Sequence, residues 1–321
     1  MREGPGTAIT AAPGPSAVRT WGPLVTLWIV WGTTFLGTST MVQTMPPLLA
    51  AGARYLVGGL LLAAVLVILR GPRVLAITRR QIGTTAFAGI GIIGIWAALV
   101  ALALQHVPGG VAALIGATVP LWMILLRMAS GDRVGWRTSL GVAIGIIGVA
   151  AMLLPGGIAP LGDETPGVVA LWSGAMVVAS MTYAFFSWRS HTLDLPSNTL
   201  VTTVYQLLWG GLAVMVAGLV AGEAPVPTGY SGVSWAGFWW LVVASVIGYA
   251  CYTYLLQHVP LSLVSTFAFV NPIVAVLLGW LLLAEPFSRS VVIGLLVVVT
   301  GTALVVLGEA RGHRQVATPE P

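Results

Sequence analysis

The sequence predicts an all-α integral membrane protein whose ten transmembrane helices form two five-helix repeats of inverted topology. Three observations predict it: apolar runs of membrane length, an internal repeat spaced 152 residues apart, and an arginine asymmetry between alternate loops. Of the 321 residues, 57% are hydrophobic and 7% charged, and the mean hydropathy is +0.96. A soluble domain carries about 25% charged residues, and no soluble fold could hide so much apolar surface.

The apolar runs lie at 22–43, 47–69, 82–104, 109–128, 137–155, 167–188, 197–220, 233–256, 261–283 and 288–308. At a rise of 1.5 Å per residue, runs of about twenty residues cross a hydrocarbon layer of about 30 Å. Residues 1–20, rich in Gly, Pro, Ala and Thr, read as a disordered tail. The expected organisation continues with a first repeat over 21–156, an external linker over 157–166, a second repeat over 167–308 and a C-terminal tail over 309–321. Trp21 to Gln43 is too long for a signal-peptide core, and no cleavage site precedes the next run, so it stays as the first span.

All basic residues are arginines. With the N-terminus inside, Arg2, Arg19, Arg70, Arg73, Arg79, Arg80, Arg127, Arg133, Arg137, Arg189, Arg311 and Arg314 are cytoplasmic. The other side receives Arg289 with the acidic Asp163, Glu164, Glu223 and Glu285, and Arg54 falls inside the second span. This bias sets both termini on the cytoplasmic side of the membrane. The basic balance therefore reports topology, and no nucleic-acid partner is expected.

Gln105-His106-Val107-Pro108 recurs as Gln257-His258-Val259-Pro260. The same offset pairs Pro120 with Pro272, Gly58-Gly59 with Gly210-Gly211, and Trp31-Gly32 with Tyr183-Ala184. After a slip of one residue, Gly141 and Gly148 meet Gly294 and Gly301. A unit of five helices returns the chain to the membrane from the opposite side, so the second copy is inverted. Inverted repeats exchange shapes to produce two conformations, with a site near the midplane where they meet. That pattern implies an alternating-access carrier.

The motifs WGTTF (Trp31–Phe35), PPLLAAGARYLVGGLLL around Arg54, HVPGGVAALIGATVPLW (106–122) and HVPLSLVSTFAFVNPIVAVLLGWLLLAEPFS (258–288) carry a family resemblance. The chain resembles the EamA-like families of the drug/metabolite transporter superfamily from about residue 22 to 308. The resemblance implies a ten-helix inner-membrane carrier, usually an exporter of metabolites, amino acids or drugs. One departure is Asp132, in a Gly-Asp-Arg loop where the second half has the family-like Ala-Glu-Pro of 284–286.

Arg54 lies about eight residues, or roughly 12 Å, into its span. An intramembrane charge usually faces a cavity or a partner, and the repeat sets Gln206 at the equivalent position. A guanidinium there suits a carboxylate or phosphate; snorkelling or capping of helix carbonyls are the alternatives. Pro120 and Pro272, as helix breaks or hinges, free the carbonyls of Gly116 and Ala268, with Asn271 beside the second. Structural kinks explain them equally well. The deep aromatics Trp31 with its repeat mate Tyr183, and Trp96 grouped with Tyr249 and Tyr252, are cavity candidates with Thr34. Trp21, Trp235, Trp239 and Trp240 suit the interfacial belt. Glu285 is expected to cap the tenth helix.

No Asp or Glu falls in the middle of a span, which disfavours proton antiport of cationic drugs. The expected substrate is a small, amino-acid-like solute, neutral, zwitterionic or anionic, with no metal or other cofactor. The bilayer is the other partner, and a homo-oligomer is compatible but not required. Multidrug efflux and carriage of a lipid or sugar phosphate are the competing readings. A membrane-embedded enzyme would need clustered His, Asp or Glu, and the acidic residues here are scattered apart from Asp163-Glu164. No catalytic role is expected.

Overall fold

The computed structural model describes residues 17–153, 158, 163–224, 229–285 and 289–317, and helices dominate them. The first apolar run forms α1 (Ala17–Gly32) and α2 (Thr34–Met41), and the second α3 (Pro47–Arg70). The third is α4 (Arg79–Gly89), one π-helical turn (Ile90–Ile95) and α5 (Trp96–Ala103). The fourth comprises α6 (Gly109–Gly116) and α7 (Val119–Ala129), and the fifth is α8 (Trp136–Leu153). Then come α9 (Pro166–Ser190), α10 (Thr199–Val220), α11 (Gly232–His258), α12 (Leu261–Val264), α13 (Phe267–Leu283) and α14 (Arg289–Ala317).

Eight helical stretches among the described residues are long and apolar enough to cross a membrane, and Trp136–Ala151 and Phe267–Leu283 are shorter apolar helices. The expectation of ten membrane-length helices is thus met by eight and two short ones. Phe267–Leu283 is short because its run breaks at Ser265 and Thr266, which leaves α12 as a separate turn. Both ends of the chain also differ from expectation. Helix α1 begins at Ala17, inside the expected tail, because Ala-Val-Arg-Thr continues the apolar run with residues a helix tolerates. Helix α14 runs on to Ala317, and Glu309 is tied to Arg127 and Thr138. The rest of the N-terminal tail, much of the linker and residues 318–321 lie outside the described residues.

Local chemistry explains the breaks. At the α1–α2 junction the hydroxyls of Thr33 and Thr34 donate back to the carbonyls of Val30 and Trp31, at 2.8 and 2.7 Å. Such back-bonding competes with the helical ladder and bends it. Pro120, which has no N–H, sits in the first turn of α7, so the fourth run breaks just before it. The carbonyls there are taken up by hydroxyls: Ile115 accepts from Ser180 at 3.1 Å, and Ala117 from Thr302 at 3.2 Å. Pro272 stays inside α13.

Glycines set the two closest helix pairs. A Cβ on Gly52 would lie 2.7 Å from the Met215 nitrogen, and one on Gly211 2.9 Å from the Gly52 carbonyl oxygen, so α3 and α10 pack backbone to backbone. Helices α8 and α14 do the same, with a Cβ on Gly301 2.5 Å from the Gly145 nitrogen. Carboxylates bind the start of two helices at one end of the bundle. Glu223, just after α10, accepts from the N–H groups of Leu48 and Leu49 at 3.1 and 2.8 Å. Glu285, just after α13, accepts from those of Gly109 and Gly110 at 2.7 and 3.0 Å. Glu285 therefore caps α6, not the tenth run.

Candidate functional site

The deep aromatic residues come from six helices. Trp31, near the end of α1, lies 5.6 Å from Tyr249 and 5.3 Å from Tyr252 of α11, and 4.9 Å from Phe267 of α13, centroid to centroid. Its indole fits because residue 248 is glycine: a Cβ there would lie 2.2 Å from Trp31 Nε1. Trp96, the first residue of α5, lies 5.5 Å from Tyr183 of α9 and 6.3 Å from Phe35 of α2. The α6 break brings Gly116 against the Trp96 ring. The expected grouping is therefore exchanged: Trp31 joins Tyr249 and Tyr252, and Trp96 joins Tyr183. Packing decides this, because the small Gly248 and Gly116 leave room for one indole each.

Arg54 of α3 is 7% exposed. Its guanidinium carbon lies 3.9 Å from the centre of the Tyr55 ring, a cation–π contact. Its Nε is enclosed with no hydrogen-bond partner, and no described carboxylate pairs with it. Snorkelling to water does not describe so buried a side chain. Tyr249 lies in the neighbourhood of Arg54, Tyr183, Tyr55 and Tyr252. These groups share one low-dielectric region between α3, α9 and α11. Among the described residues the hydroxyls of Tyr55, Tyr183, Tyr249 and Tyr252 make no hydrogen bond to protein groups, whereas Tyr205 donates to the Leu75 carbonyl at 2.7 Å.

Other expected site residues are engaged elsewhere. Thr34 spends its hydroxyl on the Trp31 carbonyl. Asn271, with its amide nitrogen turned to the available acceptors, donates to the carbonyls of Trp28 and Phe267 at 3.2 Å each and ties α13 to α1. Gln206 lies where α10 meets Gly89 of α4 and makes no hydrogen bond to Arg54. At the break beside Pro120 the carbonyls of Ile115 and Ala117 are occupied, and the break shapes the wall by placing Gly116 against Trp96.

Sequence reasoning omitted three contributors. Tyr55 follows Arg54 directly, Phe35 lies one helical turn after Trp31 in WGTTF, and Phe267 opens α13. The i, i+4 spacing of Trp31 and Phe35 was the signal for the second. Phe267 had none, since the break before α13 decides where it points.

The EamA-like transporter family matches residues 23–154 and again 167–307. The chain is 32% identical over 294 residues to an uncharacterized inner membrane transporter, YedA, of Escherichia coli K12, covering 90% of this chain and 91% of that protein. It is 28% identical to protein PecM of Dickeya dadantii, over 86% of this chain and 88% of that one. A solved crystal structure at 20% identity covers 93% of this chain and 99% of its own with a TM-score of 0.62, a likeness of fold alone.

Proposed function

The chain belongs to the EamA-like transporter family, and on that premise we propose that it is an alternating-access transporter exporting small amino-acid-like solutes across the inner membrane. The observation that carries the substrate class is Arg54: among the described residues, a buried guanidinium with no carboxylate partner, stacked on Tyr55 and in the same region as Tyr183, Tyr249 and Tyr252, whose hydroxyls bind no described protein group. A buried charge is costly until it is paired. A solute carboxylate, or phosphate, supplies the pairing by charge-assisted hydrogen bonds. The rings of Trp31, Trp96 and Phe267 then suit a flat or apolar body, and the tyrosine hydroxyls its remaining polar groups. Zwitterions and anions bind through Arg54, and neutral solutes through the rings and hydroxyls. Export is the direction the family resemblance implies.

The reading includes ten spans in two inverted halves with both termini cytoplasmic. Its support is a set of contacts that map onto each other when the halves are exchanged. Gly59 meets Leu208 as Gly211 meets Leu56, and Gly148 meets Val298 as Gly301 meets Gly145. Trp96 packs on Tyr183 as Trp31 packs on Gly248. Each pair is related by the sequence repeat, and a two-fold axis in the membrane plane produces that reciprocity. The test is counterflow in proteoliposomes against a panel of labelled amino acids, sugars and cationic dyes. Saturable exchange of an amphipathic carboxylate is the expected outcome. Exchange confined to permanent cations would refute the substrate class.

A further inference from the structure

The outer end of the fourth run carries an unusual construction around Glu285. Helix α13 ends at Ala284 in the left-handed conformation, φ 51° and ψ 32°, with the Glu285 N–H donating to the Gly279 carbonyl at 3.1 Å. Ala284 is the only non-glycine residue with positive φ among the described residues. That conformation costs an L-residue roughly 1–2 kcal/mol, and it turns the Glu285 side chain back onto α6. The carboxylate then sits in a cradle of three glycines. A Cβ on Gly279 would lie 2.4 Å from its Oε2, one on Gly109 3.1 Å from its Oε1, and one on Gly110 3.5 Å from its Oε2. Both oxygens accept backbone N–H groups of α6. The clasp therefore joins the end of α13 to the start of α6, across the boundary between the halves.

The opposite ends of the same two runs are not joined in this way. Helix α6 packs along α13, whereas α7 packs on α8, α9 and α14, and α12 on α11 and α14, with no comparable α7–α12 face. The structure is therefore closed between these runs at the Glu285 end and parted at the other. The repeat supplies a counterpart for the parted end. The register that pairs Gly141 with Gly294 pairs Asp132 with Glu285, and the register that pairs Pro120 with Pro272 pairs Gly109 and Gly110 with Leu261 and Ser262. Asp132 is held here by Arg127, Nε to Oδ2 at 3.1 Å, and its side chain is half exposed.

Resting on the transporter reading, we propose that Glu285 and Asp132 are alternate latches of one gating cycle. Glu285 on the N–H groups of Gly109 and Gly110 closes the outer face. Asp132, released from Arg127, accepts from the backbone N–H groups at 261 and 262 and closes the inner face when the outer one opens. The departure of the first half from the Ala-Glu-Pro pattern then keeps what matters, a carboxylate at the turn after the broken helix.

Thiol accessibility tests this without any substrate. Ser39 of α2 lies beneath the clasp: its Oγ is buried without a partner, and a Cβ on Gly109 would be 3.1 Å from it. With the chain's single cysteine removed by Cys251→Ser, Ser39→Cys should react slowly with a membrane-impermeant maleimide added outside intact cells. Adding Glu285→Ala should raise that rate by about tenfold or more, the effect of losing both hydrogen bonds to the α6 backbone. Glu285→Gln, which keeps one acceptor oxygen, should lie between. Adding Asp132→Ala instead should lower the rate, because the outward-open state loses its latch. Misfolding would raise labelling in both variants and so is distinguishable. An unchanged rate with Glu285→Ala, or an unchanged or raised rate with Asp132→Ala, overturns the proposal. Failure of counterflow with normal labelling responses would count against the transporter reading alone.

Discussion

Arg54 and Glu285 show how a single charged side chain acquires a role from what surrounds it. Arg54 was legible in the sequence because a charge eight residues into an apolar run is costly there. Its setting was not, because Tyr55, Tyr249 and Tyr183 come from three different helices. Glu285 looked like a cap for the following helix, and the left-handed Ala284 instead directs it to α6. Burial pushes the Glu285 carboxyl above the usual glutamate range, against the opposing pull of the Gly110 and Gly109 N–H groups. Released into water it would return to about 4.3. The clasped form thus binds the proton more tightly, so its stability is fullest below the ordinary value and declines as pH rises through the raised one. The packed helices α2, α6 and α13 bring no titratable side chain to it; the flanking charges are the His106–Glu164 pair before α6 and Arg289 at the start of α14. Outside labelling of Ser39→Cys, normalised to an exposed control cysteine, should therefore slow as the medium is acidified from neutrality, and Glu285→Gln should abolish that response.

Helices were easy to place as elements and hard to place as shapes. Composition and run length located the apolar segments, yet the interruptions at Thr33, Ala117–Thr118 and Ser265–Thr266 depend on side-chain back-bonding and on hydroxyls from neighbouring helices. Because a Cβ on Gly301 would meet backbone at 2.5 Å, which cannot move aside as a flexible side chain can, Gly301→Ala should cost about 1–3 kcal/mol. A lower unfolding temperature in detergent would show it. Gly248→Ala acts differently, by displacing the Trp31 indole from the site. It should reduce exchange of bulky solutes while the fold is retained, whereas Gly174→Ala, with nothing within 4 Å, should leave exchange unchanged.

For the molecule as a whole, the repeat register and the arginine asymmetry are the sequence grounds for the inverted architecture proposed above, since both are properties of order along the chain. The partition of contacts into a clasped end and a parted end was not readable, because the two halves have nearly the same pattern and only packing distinguishes them. A periplasmic reporter enzyme fused after Asp163 should be active and one fused after Asp194 inactive; an arrangement in which α8 did not cross the membrane would reverse both. The central claim, a carrier whose solute pairs with Arg54, is tested most directly by counterflow in proteoliposomes holding wild-type protein or Arg54→Gln at equal, folded density. The account predicts saturable exchange of an amphipathic carboxylate that falls at least about tenfold in the variant, the loss expected of a buried charge-assisted pair. Exchange of that carboxylate at the wild-type rate by Arg54→Gln would contradict it.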